Sequence, residues 1–376
     1  MNKLKICFLA LASYPLLMHS KEALVGGAEV QQVLLAEELI KDDLIISFIV
    51  FDHGQKQAKM VNGITLYKTI PKDYRLNSPL SLFRATRIFW KAMKLADADI
   101  YFQRASNKIS SLVAIYCLLH KKKYIHSIAS DKSVNGMYTK QAGSLMGWLY
   151  AFAIKRADIV LTQSKYQQKL LRTRFHKDST IVKNAYPLVI GGSNMLAFST
   201  ILWVGTISRL KRPELYLELA KNIPTAKFQM IGGKDYNEPL YYQIIKEETE
   251  KIPNLDFLGF LPFHMLHSYF NQASILVNTS SVEGFPNTFL QAWSCGIPVV
   301  SLDIDPDEII CDNKLGLHSK TLKQLVADVR RLQSQKQLRD EISQNARQYV
   351  EKEHNLEQIS RIYLDLFQSV LISRKL

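Results

Sequence analysis

The chain has 376 residues, 47% hydrophobic and 22% charged, with 16 Gly and 12 Pro. This composition excludes collagenous, low-complexity and disordered chains, and the length suits about two domains. Residues 1–190 carry 28 basic and 13 acidic side chains while residues 191–376 carry 20 and 21, which excludes a uniformly cationic surface and points to one lobe meeting an anionic partner.

At the N-terminus, Lys3 and Lys5 precede the apolar stretch ICFLALASYPLLM, which imitates a signal peptide. Ser13, Tyr14 and Pro15 interrupt it and no small-x-small cleavage site follows closely, so it reads as a buried first strand. No apolar run approaches the roughly 18–20 residues of a membrane-spanning helix. Cys7, Cys117, Cys295 and Cys311 lack metal-like spacing and read as reduced, mostly buried thiols of a cytoplasmic protein.

Short apolar runs alternate with longer amphipathic ones along the whole chain. Strands are expected at 5–10, 44–50, 99–102, 124–128 and 159–162, several of them continuous Ile/Val runs suited to a parallel sheet buried on both faces. Between them, 28–39 reads as a helix with Val30, Val33 and Leu34 on one side. The segment 164–171 opens with the capping-box spacing Ser164 and Gln167. In the second half, strands are expected at 201–204, 227–231, 257–258, 275–278 and 298–302, with helices at 214–221, 263–271, 287–294 and 322–333. Residues 185–200, with Pro187 and the pair Gly191-Gly192 but no periodicity, read as the linker between a domain at 1–184 and another at 201–355. The fold class is thus α/β, two Rossmann-like doubly wound parallel sheets. Ligands of such sheets bind at the carboxyl ends of the strands, which predicts a site in the cleft between two lobes.

The segment SILVNTSSVEGFPNTFLQAWSCGIPVVS at 274–301 reads as strand, polar loop, helix and strand. Pro286 marks the helix start and Gly296 its stop. The free N–H groups at Asn287 and Thr288 favour a phosphate or other anion. Glu283 stands just ahead of them, and Gln291 shares a helix face with Asn287. A carboxylate and an amide beside an anion-binding helix end suit the hydroxyls of a nucleotide sugar.

This stretch resembles the EGFP…E signature of retaining GT-B glycosyltransferases of the group 1 or family 4 type. There, two acidic residues bracket the donor, the first facing the hexose and the second holding the ribose. Glu283, followed by Gly284, Phe285 and Pro286, matches the first. The second position is Gln291, which hydrogen-bonds hydroxyls but brings no charge. The segment ILWVGTISRLKRPELYLELA at 201–220 is similar to the family's diphosphate-binding stretch, in which a Gly-Arg pair precedes a Lys by five residues. Gly205 and Lys211 match, whereas Thr206 replaces the Arg, leaving Arg209 or Arg212 as substitutes. Gly26 and Gly27, within GGAE, resemble the family's first βα loop at donor phosphate or acceptor. Gly232, in Ile231-Gly232-Gly233, falls where the family places the nucleotide base.

A family His often faces the sugar from a middle strand of the first domain. In KKKYIHSIASDKSVNG that position falls nearer 129–131, so Asp131 is the polar group expected there and His126 a packed strand residue. Of two Asp-x-Asp triplets, 97–99 precedes a strand and so faces the wrong end of the sheet. The other, 303–305, follows a strand but comes just after the EGFP helix, where the resembled family needs no metal, and none is expected.

The resemblance implies a GT-B enzyme that moves a hexose-type unit from a nucleotide diphosphate sugar, its substrate and not a bound cofactor. The acceptor would be a hydroxyl of a glycan or lipid-linked molecule, in cell-surface polysaccharide biosynthesis, with retention of configuration. Its last stretch, 356–371, would cross back onto the first domain. Basic clusters at 84–94, 121–123 and 165–177 of that domain would meet an anionic membrane face, peripherally and from the cytoplasmic side. A nucleotide-sugar epimerase of the same fold needs no acceptor and is the alternative. A dinucleotide oxidoreductase lacks its GxGxxG here. A basic nucleic-acid-binding module lacks any RNP, helix-turn-helix or zinc pattern, and no nucleic acid is expected as partner.

Overall fold

Alternation in the apolar runs produces two sheets, each buried on both sides. The structure is a computed structural model that describes residues 3–20, 26–75, 77–106, 109–188 and 200–372. The described residues form two compact units, one reaching Ala185 and resuming at Leu356, the other running from Tyr186 to Asn355. Most of the expected linker lies outside the described residues.

The first unit holds strands β1 (Lys5–Leu9), β2 (Ile45–Asp52), β3 (Ala58–Val61), β4 (Ile64–Pro71), β5 (Ile100–Arg104), β6 (Lys123–Ser127), β7 (Ile159–Thr162) and β8 (Thr180–Ile181). Their spatial order is β3-β4-β2-β1-β5-β6-β7-β8, parallel except for β3 against β4. The start of the apolar N-terminal stretch is therefore β1, a central strand, while Tyr14–Leu17 further along it forms a short helix. Alternate residues point to opposite faces. Cys7, Leu9, Tyr101 and Tyr124 join one core with the helices Pro79–Ala96, Ser110–Leu119, Ser144–Arg156 and Lys165–Phe175. Ile6, Phe8, Phe102 and Ile125 join another with Gly27–Leu39 and Leu356–Ile372. The last helix sets Tyr363 and Phe367 edge-on against Phe102, at 5.8 and 6.1 Å between ring centroids.

Three details depart from the sequence reading. The β3–β4 hairpin was not expected; its two-residue turn, Asn62-Gly63, has φ of 48° and 81°, the left-handed backbone a tight hairpin requires. Gly27–Leu39 is buried nearly all round. Gln31 and Gln32 are inside with Val30 and Val33, and Leu34 is only half-buried, because the helix lies between the sheet and the returning last helix. At the helix Lys165–Phe175, Ser164 Oγ accepts from Gln167 N–H as expected. Gln167 Oε1, however, accepts from Gln163 N–H, one residue before the cap.

The second unit is a six-stranded parallel sheet of β9 (Thr200–Val204), β10 (Lys227–Ile231), β11 (Leu255–Gly259), β12 (Ala273–Asn278), β13 (Val299–Ser301) and β14 (Gly316–His318), in the order β11-β10-β9-β12-β13-β14. From β9 the chain first winds outward through β10 and β11, then returns to place β12 on the other side of β9. The carboxyl ends of β9 and β12 thus form a topological switch point, where open α/β sheets hold their ligands. Cys7, Cys117 and Cys295 are buried and Cys311 is exposed.

Candidate functional site

The loop after β9 and the loop after β12 are tied together by the backbone. Ser281 N–H donates to Leu210 O (2.8 Å), and Thr279 Oγ1 donates to Lys211 O (2.6 Å). These ties deliver Lys211 to Glu283, 72 residues apart, and the ammonium donates directly to the carboxylate. The Lys211 side chain is 29% and that of Glu283 16% exposed, so the pair is partly desolvated but open to a ligand. Three residues on, Pro286 is the N-cap of the helix Asn287–Ser294 and, as a proline, offers that helix no side-chain cap. A cation, a carboxylate and a helix N-terminus therefore meet at the switch point of this sheet.

Neighbouring residues divide into those facing this spot and those engaged elsewhere. Arg212 adopts φ of 48° before the helix Pro213–Asn222. Its guanidinium donates to Thr279 O (2.8 Å), Ser280 O (3.2 Å) and Asp303, a structural clamp between the two loops. Arg209 lies over the Tyr241 ring, 4.9 Å from its centroid. Neither arginine pairs with Glu283 among the described contacts. Gly284, Phe285 and Pro286 are buried and Asn287 and Thr288 half-buried. Phe285 packs on Trp293 and His354. Gln291 is 4% exposed and its side chain bonds the Tyr186 hydroxyl, which burial holds at a pKa of about 12. The amide expected to face a ribose is thus engaged inside the unit.

Gly205 and Gly232 serve backbone contact. Gly205 N–H donates to Ile231 O (3.0 Å) and Ile207 N–H to Gly233 O (2.9 Å), zipping the loops after β9 and β10 together. A Cβ on Gly232 would lie 2.5 Å from Gly205 O, so the glycine is required by packing alone. Thr206 sits half-buried within the same zipped turn.

In the first unit, Gly26 caps the helix Gly27–Leu39 in extended conformation. The Glu29 carboxylate folds back beneath it: a Cβ on Gly26 would stand 2.6 Å from Glu29 Oε2. Burial raises the Glu29 pKa, opposed by its own N–H and by the charges of Arg104 and Lys72. Arg104 ends β5 inside the unit, donating to Asn184 Oδ1 and Ser127 Oγ, with its pKa lowered by burial. The sequence reading missed Arg104. A basic residue closing a central apolar strand was the available signal. His126 is fully buried between the Tyr124 and Tyr150 hydroxyls (2.8 and 3.2 Å), and burial drives its pKa down to about 3. Asp131, half-buried after β6, accepts from Gln167 Nε2 (2.9 Å).

The acidic triplets do not assemble cation sites from their own carboxylates. Asp97 pairs with Lys5 and Lys122 while Asp99 accepts Lys5 N–H. Asp303 pairs with Arg212. Asp305 instead accepts the N–H groups of Ile310 (2.7 Å) and Cys311 (3.3 Å). Asp305, Cys311 and His318 bring potential ligand atoms within 4.8 Å of one another, but the Asp305 oxygens already accept those two N–H groups.

Residues 198–349 match the family model of glycosyl transferases group 1. That stretch lies within the second unit and makes up 152 of the chain's 376 residues. An uncharacterized glycosyltransferase of Haemophilus influenzae is 24% identical over 290 residues, 75% of this chain and 78% of its own length. Among solved structures, sucrose-phosphate synthase from Thermosynechococcus elongatus matches 99% of this chain and 100% of its own, with a TM-score of 0.81 at 15% identity. Anabaena HepE in complex with UDP and glucose matches 97% and 100%, with a TM-score of 0.76 at 16% identity. At these identities the structures establish the fold, which is GT-B. The group 1 match spans both Lys211 and Glu283.

Proposed function

We propose that the chain transfers a hexose-type sugar from a nucleoside diphosphate sugar to a hydroxyl of a glycan or lipid-linked acceptor, with retention of configuration and without a metal, in building a cell-surface polysaccharide. The observation that carries this reading is the Lys211–Glu283 pair beside the helix end at Asn287. As the C1–O bond to the diphosphate breaks, its electron pair passes to the diphosphate oxygen. Lys211 and the N–H groups at Asn287 and Thr288 stabilise that charge where it develops. Glu283, released from Lys211 by the incoming diphosphate, orients the sugar hydroxyls. The acceptor oxygen forms the new C1–O bond, and its hydroxyl proton passes to the departing diphosphate oxygen. In the first unit, Gly26 and Gly27 are proposed for donor phosphate or acceptor and Asp131 for the sugar; His126, neutral and buried, has no part in the transfer.

The same pair makes an unusual sign prediction. Glu283→Ala should abolish transfer while leaving nucleoside diphosphate affinity unchanged or tighter, because Lys211 loses its internal competitor. Lys211→Ala should weaken that affinity about 10–100-fold, the range of one charged hydrogen bond. Titration calorimetry with UDP, GDP and ADP, followed by a product assay with each nucleotide sugar, reads both. No binding of any nucleoside diphosphate, or full turnover by Glu283→Ala, would refute the proposal. Sugar epimerised without acceptor would favour an epimerase.

A further inference from the structure

The two helical layers of the first unit carry opposite charge. On the face of the β1–β8 sheet that packs Cys7, Leu9 and Tyr101 lie the helices Pro79–Ala96, Ser110–Leu119, Met137–Ala142, Ser144–Arg156 and Lys165–Phe175. Together they contain eleven Lys and Arg and no Asp or Glu, and all eleven are exposed. The helices on the opposite face, Gly27–Leu39 and Leu356–Ile372, contain five acids and one base. Excess charge that merely keeps a protein soluble has no reason to segregate by face.

The basic layer also exposes large apolar side chains. Leu80, Leu82 and Phe83 are 56, 51 and 58% exposed in the first turn and a half of Pro79–Ala96. Leu145 and Trp148 are 69 and 65% exposed at the start of Ser144–Arg156. Both helices are crossovers between parallel strands, following β4 and β6, so their first turns stand at the carboxyl edge of the sheet. Gly26 and Asp131 follow β1 and β6 at that same edge. Arg87 covers the Phe83 ring at 5.8 Å, an aromatic–cation couple that suits an interface with an apolar and an anionic layer.

We infer that this layer of the first unit docks on an anionic bilayer surface, with Phe83 and Trp148 entering the acyl boundary and the eleven cations facing the lipid headgroups. The inference deepens the acceptor side of the proposed function by naming the surface from which a lipid-linked acceptor is met. A nucleic acid satisfies the charge but gives five exposed apolar side chains no solvent to enter; a bilayer accommodates both. Each Lys or Arg near an anionic surface raises partitioning about five-fold at low salt. The attraction fades as salt shortens the screening length to about 3 Å near 1 M.

The test uses the whole chain and vesicles of phosphatidylcholine alone or with phosphatidylglycerol, without donor, so it is read independently of the sugar chemistry. Binding to the anionic vesicles should exceed binding to neutral ones by at least about ten-fold in low salt. It should collapse at high salt and shift Trp fluorescence to the blue. Reversing Arg84, Arg87, Lys91 and Lys94 to Glu should lower partitioning by about 100-fold or more. Phe83→Ser with Trp148→Ser should lower it about ten-fold and remove the blue shift. Glu37→Lys with Glu38→Lys, on the opposite layer, should change it less than three-fold. Equal binding to neutral and anionic vesicles, or no binding to either, would overturn the inference. So would a tight complex with single-stranded RNA that the Ser variants leave intact.

Discussion

His126 shows how burial overrides a residue's ordinary chemistry. In solution its imidazole titrates near 6.5, but inside β6, between two tyrosine hydroxyls, the charged form loses hydration without gaining an anion, and the pKa falls to about 3. The sign follows from linkage. Below about 6.5 the unfolded chain binds a proton that the folded chain refuses until about 3, so the contribution is full above that window and is lost as pH falls through it. The slope reaches up to about 1.4 kcal/mol per pH unit. Urea unfolding from pH 7 to pH 4 should show a shallower loss of stability for His126→Gln than for the parent chain. Parallel curves would show that other groups set the acid response. The strand position of His126 was legible from its apolar neighbours. The pairing of Lys211 with Glu283 was not, because a side-chain contact across 72 residues has no local signature.

Among the elements, those with strong periodicity were the most legible. The strands Ile159–Thr162 and Lys227–Ile231 and the helix Asn287–Ser294 stand at the expected bounds. Elements whose identity depends on a partner escaped. β8 and β14 are two and three residues long, and such lengths are strands only because a neighbour supplies the ladder. The same dependence governs the zipped loops after β9 and β10. Gly232→Ala would drive a Cβ to within 2.5 Å of Gly205 O and 2.7 Å of Ile207 Cδ1, and the carbonyl is not free to move. We expect a loss of roughly 2–4 kcal/mol in urea unfolding. An unchanged midpoint would mean that the loops part easily, and then Gly232 would be free for a ligand role.

Across the whole chain, sequence order and unit membership differ. The helix Leu356–Ile372 is last in sequence yet belongs to the first unit, where Phe367 is fully buried against Phe102. Phe367→Ala should cost about 3–5 kcal/mol. Hydrogen exchange should locate that loss in Gly27–Leu39 and β1–β7 and spare β9–β14. Equal loss in both sheets would show that the two units unfold together.

Backbone periodicity, turn residues and the EGFP stretch are written in neighbouring positions, so the α/β alternation, the two sheets and the loop ahead of the helix Asn287–Ser294 could be read directly from the chain. Long-range topology sets the rest. Placing β12 beside β9 joins Lys211 to Glu283, turns Gln291 inward to Tyr186 and engages Arg212 with Asp303. Sorting the helices onto two faces converts a simple excess of Lys and Arg into one cationic layer. Contacts and faces are properties of three-dimensional neighbours, and a one-dimensional pattern specifies which residues want partners without saying which partners they meet.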